Sequence, residues 1–111
     1  MYYDESVLKS FKLKFKFKGK SWINRCIERL SDIIETDHPN VWFVKGRIEF
    51  GDYNPFYKVV FFSDFKCYFC TCYSMDKRYY LVRMRNICTH IGSVILWRML
   101  RGELFEKYRS M

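Results

Sequence analysis

The 111-residue chain has no alanine and no glutamine, and only two prolines and two histidines. A lack of glutamine beside many charged and aromatic residues is compatible with a thermophilic source. Five cysteines and five methionines pull against that reading. Long apolar runs are missing too: the uncharged stretch 94–97 is far too short to span a bilayer. The first five residues are polar and acidic with no apolar segment behind them, so neither a secretory leader nor a membrane protein is expected. The expected setting is intracellular, in cytoplasm or nucleoid/nucleus, with reduced thiols; there, cysteine clusters mark metal sites more often than disulfides. Residue patterns for catalysis are also missing. No nucleophile stands beside a base, no carboxylates pair, and no glycine-rich loop could cradle a phosphate, so an enzyme is not expected. Repeats, linkers and low-complexity tails are absent, which leaves one domain over 1–111.

Acidic residues are outnumbered, 12 against 20 Lys and Arg, for a net charge of +8. That balance favours an anionic partner, most often nucleic acid. Aromatic residues are abundant, with 11 Phe, 9 Tyr and 3 Trp, enough to build a core in a small chain. A structural metal would help at this size, because small domains bury a smaller fraction of their surface.

Residues 11–18 alternate strictly between apolar residues and lysine. The alternation predicts a strand with Phe11, Leu13, Phe15 and Phe17 on one face and Lys12, Lys14, Lys16 and Lys18 on the other. Such a lysine row either meets phosphates or protects a sheet edge from aggregation. Ser21 then reads as the N-cap of a helix reaching about residue 35, with Trp22, Ile23, Cys26, Ile27, Leu30, Ile33 and Ile34 as its apolar stripe. Within it Cys26 is expected to be a core residue, and His38 a surface loop residue. Residues 41–50 and 56–62 read as a hairpin around the turn 51–55. Extended segments are expected at 65–72 and 78–85, followed by a helix from 89 to about 108. Its apolar residues 94–100 cover so much of the circumference that part of them is expected to meet a protein partner or a second copy.

Two close pairs carry the chemistry: Cys70 and Cys72, then Cys88 and His90, with fifteen residues between. Three thiolates and an imidazole are the ligand set of a tetrahedral zinc site. Residues two apart on a strand point the same way, so Cys70 and Cys72 can chelate one ion. On a helix that spacing diverges by about 200°, so Cys88 must precede the helix and His90 sit at its first turn. With four protein ligands such a site is closed, hence structural and not hydrolytic. Cys67 makes a fifth candidate, and the set Cys67, Cys70, Cys88 and His90 stands as a rival. The plain alternative is a group of core cysteines near an ordinary histidine.

The stretch resembles a SWIM-type zinc finger, whose pattern is CxC, a variable gap, then CxH leading into an apolar helix. Cys70-Thr-Cys72 and Cys88-Thr-His90 supply the ligands here, and residues 41–46 and 57–59 resemble the hairpin that usually precedes them. The likeness spans about 41–97 and is strongest at 70–96. In such fingers Lys often occupies the position held here by Thr89. Residues 1–40 form a strand–helix extension outside the likeness, and 41–100 the zinc-binding unit. What the resemblance implies is DNA binding or protein binding in remodelling, transposition, recombination or transcription assemblies, with catalysis rare.

The expected fold is therefore α+β: a small antiparallel sheet, one helix in the N-terminal half and one near the C-terminus, closed by one structural Zn2+. The expected function is binding of nucleic acid, DNA ahead of RNA, through phosphate contacts from Lys12, Lys14, Lys16, Lys18, Lys20, Lys77, Arg78, Arg83 and Arg85. Tyr79 and Tyr80, interleaved with these charges, could stack on bases. The alternative is a protein-interaction or regulatory subunit of a DNA-processing assembly, a homodimer included.

Overall fold

A computed structural model describes residues 4–72 and 87–102. Helix α1 (Glu5–Lys14) and helix α2 (Lys20–Glu28) precede four strands, β1 (Ile33–Glu35), β2 (Val41–Lys45), β3 (Phe56–Phe62) and β4 (Cys67–Cys70), and helix α3 (Thr89–Leu100) follows. The strands form one antiparallel sheet in the order β1-β2-β3-β4. The α+β expectation holds, with helices in both halves around the sheet.

The segment 11–18 is not a strand. Asp4 caps α1, its carboxylate accepting the Ser6 amide at 2.9 Å and the Ser6 hydroxyl at 2.6 Å. Glu5 in the first turn and Lys12 and Lys14 in the last suit the helix dipole. An alternation of period two also contains pairs four apart. Phe11 and Phe15 form such a pair, and with Val7 and Leu8 upstream they make a helical stripe packed on the core. Leu13 and Phe17 are left 64% and 71% exposed. The lysines consequently splay around the helix and the following turn instead of lining one strand face.

Helix α2 starts at Lys20 after Gly19, not at Ser21, and ends at Glu28. A 3₁₀ turn (Arg29–Asp32) follows, and Ile33 and Ile34 leave the predicted helix to pair with Val44 and Phe43 of β2. Here the unpaired edge of β2 and two β-branched residues outweigh a helical stripe. Strand β2 is shorter than the run 41–50, because Ile48–Phe50 forms a 3₁₀ turn. The turn ends on Gly51 at φ +84°, a left-handed conformation that suits glycine. The neck of this connection is tight: the Gly46 amide donates to the Pro55 carbonyl at 2.7 Å, and a Cβ on Gly46 would lie 1.9 Å from the Asn54 carbonyl oxygen. The expected segment 78–85 lies outside the described residues, as does the part of the last helix beyond 102.

Helix α3 is the centre of the core. Every residue from His90 to Leu96 is buried, against α1, α2 and the 3₁₀ turn on one side and β3 and β4 on the other. This helix is apolar all round because protein surrounds it. Val94, Ile95 and Leu96 are therefore covered by their own chain, and only Trp97, Met99 and Leu100 are partly open. Arg98 is buried as well, its guanidinium between the rings of Trp42 and Phe61 and donating to the Tyr68 hydroxyl at 2.7 Å. Cys26 is fully buried and His38 exposed, as expected. No described helix is long and apolar enough to cross a membrane.

Gly92 lets α3 approach α2. A Cβ there would lie 2.6 Å from the Cys26 sulfur and 2.7 Å from the Trp22 ring. Alanine at this position would raise helix propensity by about 1 kcal/mol, but overpacking costs about 1–3 kcal/mol. With a sulfur and an indole both in the way, the clash should win. Gly92→Ala is expected to lower the thermal midpoint; an unchanged or higher midpoint would show that α2 yields freely.

Candidate metal centre

The two ligand pairs lie on two elements. Cys70 is the last residue of β4, and Cys72 sits in the turn that follows. Cys88 is the extended N-cap of α3, at φ −77° and ψ 167°, and His90 occupies the first turn. One ligand atom from each of the four lies within 4.8 Å of the others. Ligands about 2.3 Å from a tetrahedral centre are about 3.8 Å apart, so modest contraction would close this set on one ion. Cys67 is exposed at the other end of β4, opposite Phe62, and takes no part in the cluster.

The protonation chemistry of the cluster fits a cation. The Cys70 thiol is pushed far up, first by its hydrogen bonds to Cys72 and Cys88 and then by burial. Burial pushes the Cys88 thiol up as well, but hydrogen bonds from Cys70 and Cys72, with His90 close by, outweigh it and hold Cys88 well below the ordinary thiol range. Metal-free, the sulfurs compete for protons around one thiolate. A divalent ion removes the competition by stabilising every thiolate at once. Cys26, by contrast, is a buried thiol pushed up by desolvation, with only a long 3.8 Å contact to the Thr89 carbonyl.

His90 is held by two neighbours. Its Nε2 lies 3.1 Å from Asp52 Oδ1, and Tyr57 stacks on the ring at 4.1 Å between centroids and 22° between planes. The Tyr57 hydroxyl in turn accepts the amides of Tyr53 and Asn54. The other ring nitrogen of His90, Nδ1, is buried and has no hydrogen-bond partner among the described residues. A buried nitrogen without a partner is costly, and a metal ion would satisfy it. The described residues thus include a Cys3His cluster that can hold one metal ion.

Asp52 anchors this arrangement. Arg29 grips the carboxylate with two hydrogen bonds, at 2.7 and 3.2 Å, and the Arg47 amide adds a third at 2.8 Å. Burial raises the affinity of Asp52 for a proton, yet Arg29, the Arg47 amide and His90 more than offset it and keep the carboxyl below its ordinary range. Arg29 Nε also donates to the Thr89 hydroxyl at 3.0 Å, so the residue between Cys88 and His90 is engaged internally. Nothing local in the sequence marks Asp52 beyond its place in a turn. Arg29 did leave one signal: it falls three residues after Cys26, in line with the apolar stripe read over 22–34, where a charge needs a buried partner.

The proposed cationic residues are partly described. Lys12, Lys14, Lys16 and Lys20 are exposed, while Lys18 is half-buried with its ammonium 5.0 Å from the Trp22 ring centre. Lys77, Arg78, Arg83 and Arg85 lie outside the described residues, as do Tyr79 and Tyr80. Comparisons of the chain with protein-family models, curated proteins and solved structures find no match.

Proposed function

We propose that the cluster holds one Zn2+ in a structural role and that the chain is a small SWIM-like module binding nucleic acid, DNA ahead of RNA, through phosphate contacts. Support for zinc comes from the ligand set: three sulfurs and one imidazole nitrogen are the donors of closed tetrahedral zinc sites. Cys70, Cys72, Cys88 and His90 Nδ1 would be those donors. All four positions are then filled by protein, so the ion supplies cross-linking and no vacant position for a reacting water.

The observation that carries nucleic-acid binding is the uninterrupted cationic stretch of α1 and α2. Between Glu5 and Glu28 there are seven Lys and Arg residues and no acid: Lys9, Lys12, Lys14, Lys16, Lys18, Lys20 and Arg25. Six of them are exposed and Lys18 half-buried. The exposed Phe17 stands among them and offers a ring face for a base to stack on. Phosphate contacts release counterions, so affinity must fall as salt rises, with a log–log slope of about −0.9 per contact. Engaging four to six of these cations predicts a slope of about −4 to −5. Fluorescence anisotropy with labelled single- and double-stranded DNA across a salt series measures it. No binding at low salt, or binding indifferent to salt, would refute the proposal.

A further inference from the structure

Building on the reading of the cluster as a metal centre, we infer that His90 coordinates through Nδ1 and that Asp52 is the positioning residue that selects this nitrogen. Asp52 lies 38 residues before His90 and is not itself a ligand. A carboxylate can only accept a hydrogen bond, so the 3.1 Å contact places the imidazole proton on Nε2. In neutral imidazole the lone pair then belongs to Nδ1, the nitrogen that is buried without a partner among the described residues. The Asp52 contact sets the tautomer, and the burial of Nδ1 leaves that nitrogen to a ligand.

Asp52 is itself immobilised. Arg29 holds both of its oxygens, and the Arg47 amide holds Oδ2 again. Its side chain and that of Arg29 are only 6% and 2% exposed, so water offers the carboxylate little alternative. Ring flipping of His90 is opposed by the stacked Tyr57, whose hydroxyl is bound to the same connection that carries Asp52. The β2–β3 connection thus aims the histidine, while β4 and the start of α3 supply the sulfurs. Partners of this kind commonly change metal affinity by about 10–100-fold when removed.

The test uses the full chain loaded with zinc. Long-range proton–nitrogen NMR of 15N-histidine protein should show His90 protonated at Nε2 and metal-bound at Nδ1, with no variant needed. Chelator-competition titrations should then rank zinc affinity as wild type, Asp52→Asn, Asp52→Ala, with a loss of about 10–100-fold by the alanine variant. Asparagine keeps an oxygen acceptor without the charge, so an intermediate value supports positioning by both. Metal bound at Nε2 overturns the nitrogen assignment, and variants within twofold of wild type overturn the role of Asp52. A wild-type protein that takes up no metal overturns the metal reading as well, which separates that failure from the other two.

Discussion

With zinc in the proposed site, removing the ion with a chelator, or replacing Cys88 with serine, is expected to abolish the cooperatively folded state. The cluster joins the end of β4 to the start of α3, two points separated by fifteen residues of chain. Without the ion, the sulfurs crowd around one stabilised thiolate and His90 Nδ1 has no hydrogen-bond partner among the described residues. Structural zinc contributes about 10–16 kcal/mol of apparent binding free energy in small fingers at pH 7. The whole stability of a domain this size is about 5–15 kcal/mol. Even a fraction of the zinc term is therefore decisive, despite a core that includes Phe11, Trp42, Val59 and Leu96. Circular dichroism and amide NMR spectra, taken before and after chelation, measure the outcome. Metal-free protein with native peak dispersion and an unchanged melting temperature would contradict it.

Arg29→Ala is expected to cost about 3–5 kcal/mol, the range for breaking a buried ion pair by removing one partner. The loss comes from Asp52, a buried carboxylate left without its strongest hydrogen bonds. His90 and Thr89 would each lose a support in the same step, so zinc affinity should fall along with stability. The Arg101–Glu35 pair is an internal control. Its side chains are 48% and 58% exposed at 2.6 Å separation, and Arg101→Ala should cost no more than about 1 kcal/mol. Denaturant unfolding of both variants with zinc present gives the comparison. Equal effects would mean that burial does not set the strength of the Arg29–Asp52 pair.

Elements whose signals are local were readable from the chain. The hairpin of β2 and β3 declares itself by aromatic and β-branched runs around a Gly-Asp-Tyr-Asn-Pro turn, and both strands are present. Cys88 caps α3 and His90 enters its first turn, as the divergence of residues two apart on a helix requires. Where two periods overlapped, local pattern was not enough. Phe11 and Phe15 satisfy both a strand and a helix, and the choice fell to Asp4, Val7 and Leu8 outside the alternating window. Ile33 and Ile34 fit the helical stripe but pair with Val44 and Phe43 of β2, farther along the chain.

The chain by itself determined which side chains could chelate and how they pair, because a chelating pair is a short-range object: two side chains two residues apart either can or cannot reach one ion. It also determined the cationic balance, which is a sum over residues and needs no fold. Tertiary structure alone decided what surrounds those groups. It set Cys67 aside, buried the apolar face of α3 against its own chain, and dispersed the lysines around a helix. Asp52 reached His90, and Arg29 reached Asp52, across 38 and 23 residues of sequence. Such contacts depend on where the packed elements leave a buried charge in need of a partner, and no local spacing encodes that.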